Sequence, residues 1–160
     1  MALTDLLERF RRGPEFLAMV LTGVFGEEED FIPAPGKWSI RQLIAHVADS
    51  EMVGAHRMRA VIAEENPVLT GYDEKLWVKN LDYAQRKPKH SLESFRRQRA
   101  ENYELLKNLP ESTYARTGNH TEHGAVTLLR LLEIYAEHVE NHARQMQAVR
   151  EEYKKTKGKK

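Results

Sequence analysis

Two histidines four positions apart, His138 and His142, are the pair best spaced for chemistry in this chain. On a helix they stand about 40° apart, one turn up the same face, and so can offer two imidazoles to one ion. Tyr135 and Val139 are their angular neighbours, which places both at the edge of an apolar stripe. A third imidazole, His46, stands at the border of another stripe, beside Leu43 and Val47. Together the three could hold one divalent metal ion. Glu140 falls about 200° from His138, and Val139 rather than Glu follows it, so the zinc-protease motif and its general base are missing. Asp49 could orient a ligand from behind, and Arg57, eleven residues after His46, returns to nearly the same angle. His56, His90, His120 and His123 compete for the role, and the short loop His120-Thr121-Glu122-His123 could bind metal by itself.

The 160 residues are 41% hydrophobic and 31% charged, the balance of one ordinary globular domain with a core of its own. A net charge of +1 argues against a nucleic-acid or anionic-membrane partner. No cysteine is present, which excludes disulfides, thiolate zinc sites and a cysteine nucleophile. Thiol chemistry would need an incoming thiol. No apolar run can span a bilayer and no secretory segment opens the chain, so the expected location is the cytoplasm.

Positioning the histidines falls to helices, because the periodicity is helical and no alternating strand stands out. A first amphipathic stretch, Leu3 to Val24, is interrupted at Gly13-Pro14. The second begins at a capping box, Ser39 with Gln42, and runs to about Glu65. Residues 66–90 form a long connection with Tyr72, Asp73, Glu74 and Trp77, too long for a simple turn and placed to cover a site. Ser91 is the expected cap of a third helix ending at Pro110, and Thr127 the cap of the last. The fold class is all-α, a four-helix bundle over residues 1–153, with 154–160 a basic tail without fixed structure.

The stretch Gly36-Lys37-Trp38-Ser39-Ile40-Arg41-Gln42-Leu43-Ile44-Ala45-His46-Val47-Ala48-Asp49-Ser50-Glu51 resembles the signature of the DinB/YfiT-like family of bacterial metalloenzymes. Arg57, Pro67, Tyr72-Asp73-Glu74 with Trp77, and His138-x-x-x-His142 follow in matching order, so the resemblance covers about residues 3–150. It implies an up-down-down-up bundle, a homodimer, and a three-histidine site of His46, His138 and His142. It also implies S-transfer from small thiols such as bacillithiol, or mycothiol-dependent isomerisation. Glu51 and Glu137 depart from the pattern of the thiol-transferase relatives.

Three neutral imidazoles leave positions on an ion open, as catalytic sites do. Zinc is the first expectation and nickel the second. The expected function is a metal-dependent transferase that activates a small thiol against an electrophilic acceptor, with Arg57 or Tyr72 steadying an anion. Alternatives are a hydrolase relying on Asp49 or Glu51, and a metal- or ligand-binding stress protein without catalysis.

Overall fold

The computed structural model describes residues 2–158. The first bundle helix is broken in two, α1 (Leu3–Arg11) and α2 (Gly13–Leu21), with Pro14 in the first turn of α2. A single turn, α3 (Glu27–Asp30), leads to α4 (Ile40–Ala63). The start of α4 is the expected capping box: Gln42 N–H donates to Ser39 Oγ, and Ser39 N–H donates to Gln42 Oε1. The long connection folds as β1 (Val68–Leu69), α5 (Glu74–Asn80) and a 3-10 turn at Tyr83–Gln85. Then come α6 (Pro88–Lys107), a second 3-10 turn, the hairpin β2 (Thr117–His120) and β3 (Gly124–Thr127), and α7 (Leu128–Lys157).

Two stacked core layers fix the helix directions. One joins Leu6 and Phe10, Met58 and Val61, Leu106, and Leu128 to Ala136. The other joins Leu17, Ile40 to Ala48, Phe95, and Val139 to Val149. The start of α4 thus shares a layer with the start of α6 and the end of α7. It follows that α4 and α6 run the same way, and that α1–α2 and α7 run against them. The parallel pair requires a crossover, which is the task of the long connection between them.

Three expectations change. Strands do form: β1 pairs parallel to β2 through Val68 and Asn119, and β2 pairs antiparallel to β3. At two to four residues they are too short to show alternation. Gly118 permits this sheet to lie on the bundle, since a Cβ there would stand 2.9 Å from Leu69 and 3.0 Å from Val61. Ser91 is no cap; α6 begins at Pro88 and Ser91 is buried within it. The last helix continues to Lys157, so Lys154, Lys155 and Lys157 are helical, and Lys157 pairs with Glu27 at 2.6 Å. Lys159 and Lys160 of the expected tail lie outside the described residues. No helix among those described is long and apolar enough to cross a membrane.

The helices meet on one buried guanidinium. Arg99 of α6 is 1% exposed and lies between the rings of Phe10 and Phe95. Its Nε and Nη2 donate to the two oxygens of Glu51 at 2.9 and 2.6 Å. Nη1 donates to the Phe10 carbonyl at 2.8 Å, and Nη2 also to the Tyr135 carbonyl at 3.1 Å. Pro14 has no N–H to give the carbonyl of Phe10 four residues earlier, so Arg99 supplies the donor that the helix break removed. Asn102 completes the group by donating to Glu51 Oε1.

Truncating Glu51 leaves a buried, uncompensated cation. Glu51→Ala should destabilise the fold by about 3–5 kcal/mol in urea denaturation. The double variant Arg99→Met/Glu51→Leu should recover most of that loss. A single-variant loss no larger than that of an exposed ion pair would show that the group does not hold the helices together.

Candidate metal centre

His46 of α4 and His138 and His142 of α7 converge. Nε2 of His138 lies 3.1 Å from Nε2 of His46 and 3.1 Å from Nε2 of His142. One ligand atom from each of the three fits within a 4.8 Å cluster. His46 is fully buried, and the other two are half-buried. Trp38, just before the α4 cap, packs on the His46 ring with centroids 5.2 Å apart.

Burial holds the imidazoles neutral. His46 is lowered to about 3, by desolvation first and by His142 second. His138 is held well below its ordinary value of about 6.5 by desolvation, then by His142 and His46. His142 is lowered too, also by desolvation, against a raising hydrogen bond from its side chain to Gln145. Gln145 Oε1, 3.0 Å from His142 Nδ1, accepts that proton and so leaves the lone pair on Nε2, facing the cluster.

This donor set fits a divalent cation. Nitrogens at about 2.0–2.1 Å from one tetrahedral ion stand about 3.3 Å apart, near the separations found here. Neutral imidazole carries one ring proton, so the central Nε2 cannot donate to both neighbours; a shared cation satisfies all three lone pairs. His46 Nδ1 is buried without a hydrogen-bond partner among the described residues.

A cavity of about 560 Å³ opens from His138. Ser50, Arg57, Tyr72, Glu74, His120 and Tyr135 are among its walls. The long connection therefore does cover the centre, and it delivers Tyr72 and Glu74 to it. Trp77 does not line this cavity; it backs Tyr72, with ring centroids 4.4 Å apart, and packs toward Ala45, Val78 and Tyr83. Burial pushes the Tyr72 hydroxyl up to about 12.

The expected supporting residues divide. Arg57 and Tyr72 are at the cavity. Asp49 is not an orienting group for the histidines: its oxygens accept from Arg86 at 2.7 and 3.1 Å and from the Tyr83 hydroxyl at 2.8 Å. Those partners come from the crossover, which anchors there instead. Glu51 is spent on Arg99. The carboxylate that does approach is Glu74, whose Oε1 lies 3.9 Å from His46 Nε2. Desolvation of that carboxyl, with Asp73 beside it, raises it above the ordinary carboxylate range. The motif Tyr72-Asp73-Glu74 marks the place, but only α5, capped by Asp73, sets Glu74 at the cavity. Gln145, three residues after His142, carries the spacing signal for a helix-borne partner.

His56 and His90 lie on exposed surface, apart from the cluster. His120, Glu122 and His123 form a second group at the cavity rim. There the His120 and His123 rings stack at 4.8 Å, and the Glu122 N–H donates to His120 Nδ1. That bond occupies the Nδ1 lone pair.

A helical bundle with a convergent histidine triad below a covered cavity defines a class of proteins, and comparison places the chain within it. The profile of the DinB superfamily matches residues 9–146, and the chain belongs to that superfamily. A protein of Oceanobacillus iheyensis, provisionally named a metal-dependent hydrolase, is 33% identical over 129 residues, 81% of this chain and 74% of the relative. Among solved structures, YfiT from Bacillus subtilis, described as a four-helix bundle of unusual topology, superposes with a TM-score of 0.87 at 24% identity, covering 93% of this chain and 87% of YfiT. The mycothiol-dependent maleylpyruvate isomerase superposes at 0.73 with 19% identity, over 91% of this chain and 61% of the isomerase.

The depressed histidines set an acid response. Below about pH 6.5 the unfolded chain takes up protons on these imidazoles that the folded chain refuses, so stability falls as pH falls. In metal-free protein the melting temperature should drop between about pH 6.5 and pH 5, above most carboxylate titration. A His46→Gln/His138→Gln double variant should flatten that slope; an unchanged slope would mean that the histidines are not held neutral.

Proposed function

We propose that this chain is a metal-dependent enzyme whose ion is held by His46, His138 and His142. The proposed reaction is transfer from a small thiol to an electrophilic acceptor in the adjoining cavity. The observation that carries the reading is the approach of one buried and two half-buried imidazole nitrogens to one another beside a 560 Å³ cavity. An ion bound there would act as a Lewis acid, favouring the deprotonated form of a nucleophile and leaving positions open to substrate. Zinc is the first candidate and nickel the second, since imidazole ligands suit both.

The chain's own groups have assignable tasks. Gln145 keeps the His142 lone pair on Nε2. Trp38 and the bundle core exclude water behind His46. Glu74 is placed to take the proton of the nucleophile at the carboxylate 3.9 Å from His46 Nε2. The absence of cysteine leaves no internal thiol to compete with an incoming one. A cavity of this size admits two small molecules together, and the similarity in fold to a mycothiol-dependent isomerase supports a thiol as one of them.

Hydrolysis is a second reading, favoured by Glu74 and by the names of relatives. Water has the higher pKa and depends more on a nearby base than a thiol does. Glu74→Gln should therefore abolish hydrolysis of an activated ester or amide. It should reduce thiol transfer only severalfold near pH 8, where bulk base can remove the thiol proton.

Metal analysis of protein purified without a histidine tag tests the centre. About one ion per chain is expected. His142→Ala should remove it, and His90→Ala should leave it in place. Chelation should lower the melting temperature while helical circular dichroism persists, because the core does not depend on the ion. Equal metal loss in both variants would point to surface chelation and sink the reading.

A further inference from the structure

The cavity wall contains a cation without an anion. Arg57 of α4 donates from Nη1 to the Tyr135 hydroxyl at 3.1 Å and from Nη2 to the Thr70 carbonyl at 2.6 Å. Its Nε is buried and has no acceptor among the described residues. No carboxylate among the described residues pairs with it. The contrast within the chain is sharp: Arg9, Arg41, Arg86, Arg99 and Arg150, the other buried or half-buried arginines, each pair with a carboxylate. A guanidinium has five N–H groups, and two of them are used among the described residues.

Its surroundings fit a ligand of opposite charge. The Tyr72 ring stands 6.0 Å from the guanidinium carbon. Burial first and the Arg57 charge second hold the His120 imidazole below its ordinary range. Arg130 also lines the cavity, but it is paired with Glu133 at 2.8 Å. Of the acidic walls, Glu74 approaches His46, and Glu122 is packed beside Gly71, where a Cβ would stand 2.6 Å from its carboxyl carbon. Leaving a partly buried guanidinium uncompensated costs stability, and a binding site accepts that cost where an incoming anion repays it.

We propose that Arg57 is the docking point for a carboxylate on the molecule that enters this cavity. The Tyr135 hydroxyl and the Thr70 carbonyl hold the guanidinium, and the remainder of the ligand extends toward His138. The assignment takes from the functional reading only that ligand and histidine centre share the cavity; it does not need the ion.

Succinate is the probe, titrated by calorimetry into the full chain after chelation, at about pH 7.5, where the histidines are neutral. The parent should bind succinate and not its neutral analogue succinamide. Arg57→Gln should weaken succinate binding about tenfold or more, the loss expected for charge-assisted hydrogen bonds. Arg57→Lys, which keeps the charge and loses the planar fork, should bind at an intermediate level. Tyr135→Phe, which removes one of the two acceptors holding the guanidinium, should weaken succinate binding severalfold, and Arg57→Lys stands in if Arg57→Gln fails to fold. Equal binding of succinate and succinamide overturns the proposal, as does unchanged binding in folded Arg57→Gln. Phosphate binding more tightly than succinate overturns the carboxylate assignment. Metal titration of the same samples separates the two readings. Succinate binding without metal uptake would leave Arg57 standing and remove the metal centre, and the reverse result would do the opposite.

Discussion

The buried pairing of Arg99 with Glu51 is the constraint on which the bundle depends. One guanidinium touches α1 through the Phe10 carbonyl, α4 through Glu51, and α7 through the Tyr135 carbonyl, while itself belonging to α6. Apolar packing alone would let such helices slide in register, because Leu and Val contacts are non-directional. A desolvated charge with fixed hydrogen-bond partners tolerates no slide. Tyr135 and His138 lie one turn apart on α7, so the register set at the Tyr135 carbonyl also sets the height of His138 opposite His46. Gly13 allows the close fit, since a Cβ there would stand 2.9 Å from Arg99 Nη1.

The crossover is the second determinant. Because α4 and α6 run parallel, the chain must travel the length of the bundle between them, and it uses that distance to build a cover. Its anchors are specific: Asp49 receives Arg86 and Tyr83 near the start of α6, and β1 pairs with β2 at the other end. Between these anchors Tyr72 and Glu74 are brought to the cavity. The crossover that topology demands is thereby also the wall of the site.

Much of this was legible in the sequence. The His138–His142 spacing and the position of His46 beside Leu43 and Val47 marked the candidate ligands, because helical periodicity reports angle, while their union in one site was implied by the family resemblance. The capping box at Ser39 and the cap at Thr127 were readable, since those bonds are local. What remained hidden was non-local. Asp49 has the right angle to support His46 but is claimed by residues more than thirty positions away. Glu51 read as a departure from a family pattern, and its partner lies 48 residues on. Glu74 carried a motif but no periodicity that could point it inward. Ser91 looked like a cap by residue type, although Pro88, a residue suited to the first turn, had already begun the helix.

The separation of 92 positions between His46 and His138 has a kinetic meaning. Neither half of the histidine cluster exists as a ligand cage until α4 and α7, distant in sequence, have docked. Such long-range closures form late, after the entropy of the intervening loop has been lost. Any ligand that bridges the two helices therefore recognises only the finished molecule. It would leave the rate of folding nearly untouched and act on the reverse process, as a clasp that slows unfolding. Persistence of the native state would then depend on the clasp as much as on the core.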